Sequence, residues 1–363
     1  MTSAVADGIV HMGISGQARR RVMQSVTNLI PRLMDRQVFK GQQVQISEFE
    51  IRNICHLLPD ILVCEPVCLD LDLETPIHVV GDILGQYVHL LRIFEEFGHP
   101  PAKRYLFLGN YTWRNMFAIE TLTLLFCYKL LYPESIYLLR GRCECSATGR
   151  LYGFYDQCVQ RFSRRSWHDL SNVFCYLPIA ATVNKNILCV HSGLSPMFLT
   201  FELSSVAQMQ ALFFRLVTRP SEMQTYSITT HLIWSEPDDD STEWDQNPIG
   251  LGYLFGRSVV KEVCDRLNLK RIIRSSGLVQ NGYAKFADTP LVNIFSAPDF
   301  EETYENKGAV LQLSLDAEQE VRYRVRLICP LIHMRRKHTT RMNVRFEDLI
   351  GENVPKESKL MFA

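Results

Sequence analysis

The chain has 363 residues, 47% hydrophobic and 21% charged, which is enough apolar material for a sizeable core and excludes a disordered chain. Lys plus Arg and Asp plus Glu number 39 each, so no net charge draws the whole molecule to nucleic acid or a membrane surface. No apolar run approaches the ~18 residues of a membrane span, the N-terminal residues lack a leader-like apolar stretch, and scattered cysteines read as reduced thiols of a cytoplasmic or nuclear protein.

Residues 1–17 read as a loose N-terminal arm. From Arg19 to Met34 the apolar residues Val22, Val26, Leu29, Ile30 and Leu33 fall at helical spacing, with Pro31 interrupting late. Ser47 and Glu50, just before Ile51, have the form of a capping box opening a second helix towards Leu58. A rhythm then begins. Apolar runs at Ile77–Val80, Tyr105–Leu108, Ile136–Leu139, Ile187–Val190 and Leu291–Phe295 each end in polar residues and a turn-former. Helical patterns intervene at Tyr87–Phe97 and Phe117–Tyr132. Repeated strand–loop–helix units predict an α/β layered domain over residues 18–330, with one shared site at the strand tips. Residues 331–363 differ in character. They carry a basic cluster, Arg335-Arg336-Lys337, and then a mixed polar stretch that reads as a flexible tail.

The strand tips read, in order, GDILGQ (81–86), GNYTWRN (109–115), LRGRCE (139–144) and CVHSGLSP (189–196), followed by WSEPD (234–238), RSSGLVQNGY (274–283) and SAPDFEE (296–302). Seven segments in this order resemble the metal-dependent serine/threonine phosphoprotein phosphatases, most of all the type-one catalytic subunit, from about residue 20 to about 328. The resemblance implies the calcineurin-like metallophosphoesterase fold, a central β-sandwich flanked by helices, with two divalent ions (Mn, Fe or Zn) at the strand tips.

Residue by residue, the resemblance also implies a degenerate centre. Of the six metal ligands of such a site, Asp82 and His191 persist. Leu84 stands for a histidine, Asn110 for the bridging carboxylate, Arg142 for an asparagine and Ser276 for the last histidine. Cys143 replaces the general-acid histidine, and Trp113 the acid that orients it. Of two phosphate-binding arginines, Arg114 remains and the other falls at Ile249; Phe300 stands for a tyrosine near the site. Two divalent ions need hard anionic or imidazole ligands, and one carboxylate with one imidazole is too few.

Each residue also has a plain structural reading. Asp82 and His191 are expected to be buried groups hydrogen-bonded to neighbours. Arg142 is expected to form a salt bridge to Asp82, since an unpaired buried charge is strongly destabilising; the sharper reading has Arg142 and Arg114 binding a phosphate without cleaving it. A Cys143 nucleophile would need a cradle of backbone amides, and no loop of that kind is visible. A zinc site from Cys143, Cys145 and His191 lacks a fourth ligand. Trp113 is expected to plug the vacated pocket. The family's peptide-docking groove maps to Ile187, Arg271, Lys285, Val321, Tyr323 and Val325, with two cations where apolar residues are usual. Asn343–Phe346 loosely resembles a docked peptide, without the basic residue that precedes one. The expectation is therefore a pseudophosphatase without metal cofactors that binds proteins, such as phosphatase regulatory subunits or phosphoproteins, and neither nucleic acid nor membrane. The alternative is an active phosphoserine/phosphothreonine phosphatase with an atypical metal site.

Overall fold

A computed structural model describes residues 16–35 and 41–330, together with the backbone of 344–345. The arm before residue 16 and the basic cluster 335–337 lie outside the described residues. The strands, in chain order, are β1 (Cys68–Leu71), β2 (Ile77–Val80), β3 (Arg104–Phe107), β4 (Ile136–Leu138), β5 (Ala180–Val183), β6 (Ile187–Val190), β7 (Glu236–Pro237), β8 (Trp244–Gln246), β9 (Tyr253–Phe255), β10 (Arg271–Arg274), β11 (Tyr283–Lys285), β12 (Leu291–Ile294), β13 (Gly308–Leu315), β14 (Val321–Ile328) and β15 (Val344–Arg345). They form two six-stranded sheets, in orders β1-β5-β6-β10-β12-β11 and β15-β14-β13-β2-β3-β4, and a small sheet β7-β9-β8.

Both large sheets are mixed. β2, β3 and β4 run parallel, as do β6, β10 and β12, while the hairpin partners β13 and β14 are antiparallel. The sheets face each other through Leu69, Val79, Leu106, Leu108, Ala181, Ile273, Val292 and Leu311, all buried. This explains why the central strands read as continuous apolar runs: both faces of each strand are covered. On the outer face of the second sheet lie helices α1 (Gly16–Leu33), α2 (Glu48–Cys64), α3 (Tyr87–Phe97) and α4 (Ala118–Leu131), whose apolar residues join one large core. Helices Val206–Leu216 and Arg257–Leu267 cover the other sheet.

Local chemistry sets several boundaries. The Ser47 hydroxyl accepts from the Glu50 N–H and the Glu50 carboxylate accepts from the Ser47 N–H, closing the capping box that opens α2. Pro31 sits inside α1 instead of ending it, two residues before its last residue, Leu33. α4 is apolar all round and buried along its length, as a helix between other helices must be. Among the described residues, no helix is long and apolar enough to cross a membrane.

Candidate functional site

The carboxyl ends of β2, β3, β4, β6 and β10 meet at one edge of the sandwich. Glycines allow that approach: a Cβ on Gly141 would lie 2.5 Å from the Asn110 backbone nitrogen, so only glycine fits there. Leu84, Asn110 and Ser276 have φ of 52°, 55° and 70°, a left-handed backbone that is costly for Leu and Ser and better tolerated by Asn. All three stand at positions where the resemblance expects a metal ligand. The backbone of the strand tips therefore keeps a strained, site-forming shape while the side chains have changed.

Asp82 is fully buried, and both of its carboxylate oxygens accept hydrogen bonds. One oxygen accepts from the Ser275 hydroxyl and from the Ser276 N–H at 3.3 Å, and the other accepts from the Asn110 amide nitrogen at 2.9 Å. The Asn110 side-chain oxygen accepts from the Cys143 N–H at 3.0 Å. An amide can bridge in this way because it donates at one end and accepts at the other, whereas a carboxylate only accepts. Burial pushes the Asp82 carboxyl up to about 6, against the opposing pull of these donors. Glu144, also buried, accepts from the N–H groups of Asn110, Tyr111 and Gly141 and staples the β3 and β4 tips together. Burial raises it to about 7.

Arg142 is 3% exposed, and its partner is Glu236, not the expected Asp82. The guanidinium also donates to the Ile233 carbonyl at 3.0 Å and the Ser192 hydroxyl at 3.0 Å, and lies 4.9 Å over the Trp234 ring. Arg274, equally buried, pairs with the other Glu236 oxygen at 2.5 Å. Ser276 donates its hydroxyl to Glu236 at 3.0 Å. Two guanidiniums thus share one carboxylate at the strand tips, and they hold that carboxyl below its usual range despite burial. These contacts commit much of the donor set that a phosphate-binding Arg142 would need.

The remaining altered positions have gone apolar. Leu84, Trp113 and Cys143 pack in one buried cluster with Leu278, Val279, Phe295, Ala297 and Phe300. Trp113 is 7% exposed, stacks on Tyr152 at 4.2 Å between centroids, and donates its indole N–H to Glu301 at 3.2 Å, so it packs beside the strand tips. Burial drives the Cys143 thiol well above its usual range, so it offers no thiolate. Arg114 is exposed, with its guanidinium 6.0 Å over Trp113 and 5.4 Å over Tyr152.

His191 is buried and neutral, its pKa depressed to about 3 by burial and then by Arg142. Its Nδ1 donates to the Leu108 carbonyl at 2.8 Å, and its Nε2 has no partner among the described residues. That lone pair is the one feature a metal ion would welcome. The rest of the donor set does not fit two divalent ions. Asp82 already accepts from three protein donors, Asn110 presents an NH₂ to it, and Arg142 brings a positive charge to a ligand position. Among the described residues, no three His, Cys, Asp or Glu groups converge in a way that could hold a metal, Cys143, Cys145 and His191 included.

A family model described as calcineurin-like phosphoesterase matches residues 75–275, which spans the strand tips from Asp82 to Ser275. The chain belongs to this family. Its fold is that of a serine/threonine phosphatase: a protein of that description from Saccharomyces cerevisiae, noted for similarity to human phosphatase PP5, is 22% identical, with a TM-score of 0.73 over 84% of this chain and 96% of that one. A cold-active protein-tyrosine phosphatase from a psychrophilic Shewanella is 13% identical over 73% of this chain and 81% of that one, at a TM-score of 0.49. The calcineurin-like fold of this phosphoesterase relative is thus established, and with it the α/β sandwich expected from sequence.

Two site residues escaped the sequence reading. Glu236 lies in the quoted WSEPD segment and Arg274 opens RSSGLVQNGY, but neither was assigned a partner. The signal was available: an arginine replacing a ligand requires a carboxylate, and Glu236 is the acid in the motif nearest the tips. Ile249 is half-buried, and its N–H donates to the Asn247 side-chain oxygen at 3.1 Å. At the mapped docking groove, Ile187 pairs in register with Arg271, and Arg271 lies 5.2 Å over the Tyr323 ring. The tail residues Val344 and Arg345 add an antiparallel strand to β14, opposite Val325 and Arg324; Asn343 and Phe346 lie outside the described residues.

Proposed function

We propose that this chain is a non-catalytic member of the serine/threonine phosphatase fold that acts by binding proteins. The observation that carries the reading is the state of Asp82. A carboxylate that must coordinate an ion is instead closed by Ser275, Ser276 and Asn110, with a guanidinium at the neighbouring ligand position. The proton-transfer pair has gone as well, because an apolar Trp113 and a buried thiol replace it. General acid catalysis alone supplies ~10²–10⁴-fold, so losing both metals and acid removes the activity.

The test uses the purified full chain with added manganese, a phosphoserine peptide and a small aryl phosphate. No turnover above background is expected. Turnover that disappears in Asp82→Ala overturns the proposal. Elemental analysis gives a second check: about two divalent ions per chain, as in two-metal catalysis, contradicts the ligand argument. An active enzyme with an atypical site is the second reading, and the bare Nε2 of His191 is what favours it; one bound ion together with turnover would establish it. Binding of a phospho-ligand without cleavage rests on Arg114, whose guanidinium is exposed. Regulatory subunits of phosphatases are the first partners to try, in a pull-down with the full chain as bait.

A further inference from the structure

β14 is eight residues long and would be the outer strand of its sheet were it not for β15. A bare edge of that length presents a row of backbone N–H and C=O groups to which another extended chain can add. Charge guards the strand: Arg322 and Arg324 are exposed and Arg326 is half-buried, at alternating positions. A second strand also covers it. Val344 stands opposite Val325 and Arg345 opposite Arg324, in antiparallel register. The connection between the two strands is easily long enough. Residues 329–343 join them, and about 15 residues can extend to ~50 Å. The return needs only ~11 Å, from Ile328 back to Val325 and one strand spacing across. One pair in the register is unfavourable, because Arg324 and Arg345 are two cations directly opposite each other.

We propose that the chain's own tail is the resident occupant of this edge: Val344–Arg345 caps β14 in cis, and an extended segment of a partner protein must displace the cap to add a strand there. Main-chain hydrogen bonds hold such a strand largely irrespective of its side chains. A tether of about 15 residues presents the segment at roughly millimolar effective concentration. A segment that binds the bare edge with a Kd of ~0.1 mM in trans therefore closes it about ten to one in cis. A competing segment then binds the capped edge about tenfold more weakly than the open one. The Arg324–Arg345 opposition keeps the cap weak enough to be displaced. The cap itself is independent of the strand tips and of catalysis; its effect on partners rests on the reading of the chain as a protein-binding member of the fold.

The probe is a fluorescein-labelled peptide with the sequence of residues 341–348, titrated by anisotropy into the full chain and into full-chain Val344→Pro/Arg345→Pro. Proline removes a ladder donor from a strand, so the variant's β14 edge is open. The variant is expected to bind the peptide with a Kd of about 0.1 mM or tighter, and the parent at least about tenfold more weakly. The same peptide carrying Arg345→Glu turns the like-charged pair into an opposite-charged one and is expected to bind the variant about threefold tighter. Hydrogen exchange in the parent alone is a second measurement, which stands even if the variant does not fold. At least one of the Val344 and Arg345 amides is expected to exchange about tenfold more slowly than in the free peptide. Equal peptide binding by parent and variant, no binding by the folded variant at millimolar peptide, no gain from the glutamate peptide, or free-peptide exchange rates at both tail amides each overturns the proposal. So does a dimer of the parent in sedimentation that dissociates in the proline variant, because the strand would then come from a second copy. The probe is the tail's own sequence, so this result fails independently of phosphate turnover and of any pull-down with regulatory subunits.

Discussion

Asn110→Asp restores the bridging carboxylate that the resemblance expects, and the structure says it should be harmful. The Asn110 amide nitrogen donates to Asp82 at 2.9 Å, and the two residues are 1% and 0% exposed. Substitution removes that bond and sets two carboxylates in its place. At an effective dielectric near 20, two unit charges at that separation repel by ~6 kcal/mol. The pair avoids this by taking up a proton, which for an ordinary carboxyl at pH 7.5 costs ~5 kcal/mol. Roughly 3–5 kcal/mol of stability should therefore be lost at pH 7.5. The sign of the pH dependence follows. Asp82 is already raised to about 6, so the folded state holds protons that the unfolded chain has released, and stability rises as pH falls through that value towards 4. The variant should regain ~1.4 kcal/mol per unit of pH below about 7. Urea unfolding of both proteins at pH 7.5 and 5.5 measures this. An Asn110→Asp protein as stable as its parent at pH 7.5 would refute the reasoning. So would several degrees of stabilisation by millimolar manganese, since that would show enough ligands in place to hold an ion once the carboxylate is restored.

Glu236→Gln leaves two buried guanidiniums without a counter-charge, and breaking a buried ion pair costs ~3–5 kcal/mol. A drop of at least about 6 °C in the melting temperature is expected by calorimetry; Arg142→Met should cost less, because Glu236 then keeps Arg274. Native alkylation at pH 8 should modify Cys64, which is exposed, and spare Cys143 and Cys145 until the chain unfolds. Peptide mapping that finds Cys143 labelled in the folded protein would reinstate the thiol as a reactive group.

The fold was legible because it is written in patterns that need no partner. The runs at Ile77–Val80 and Ile187–Val190 are strands over those same bounds, Tyr87–Phe97 is a helix end to end, and the Ser47–Glu50 box closes as its spacing predicts. The site was half legible. Asp82 and His191 could be seen as remnants, and Leu84, Trp113 and Cys143 could be seen as losses. What replaced them could not, because Glu236 and Arg142 are 94 positions apart and meet only through the sandwich. Burial settled that pairing, since Arg142 had to find the carboxylate its surroundings offered. The Asn110 link to the Cys143 N–H was hidden for the same reason: its geometry depends on where two strand tips stop.

The shared carboxylate of Glu236 also bears on history. Two arginines now depend on it, and Asp82 depends in turn on Ser275 and Asn110. Changing Arg142 alone back to a neutral ligand unbalances the ion triad without freeing Asp82. Changing Asn110 alone sets carboxylates against each other. Each single step back towards a metal centre lowers stability before any ion could repay it. The present arrangement is thus mutually locked: it can be left towards a metal centre only by several substitutions at once.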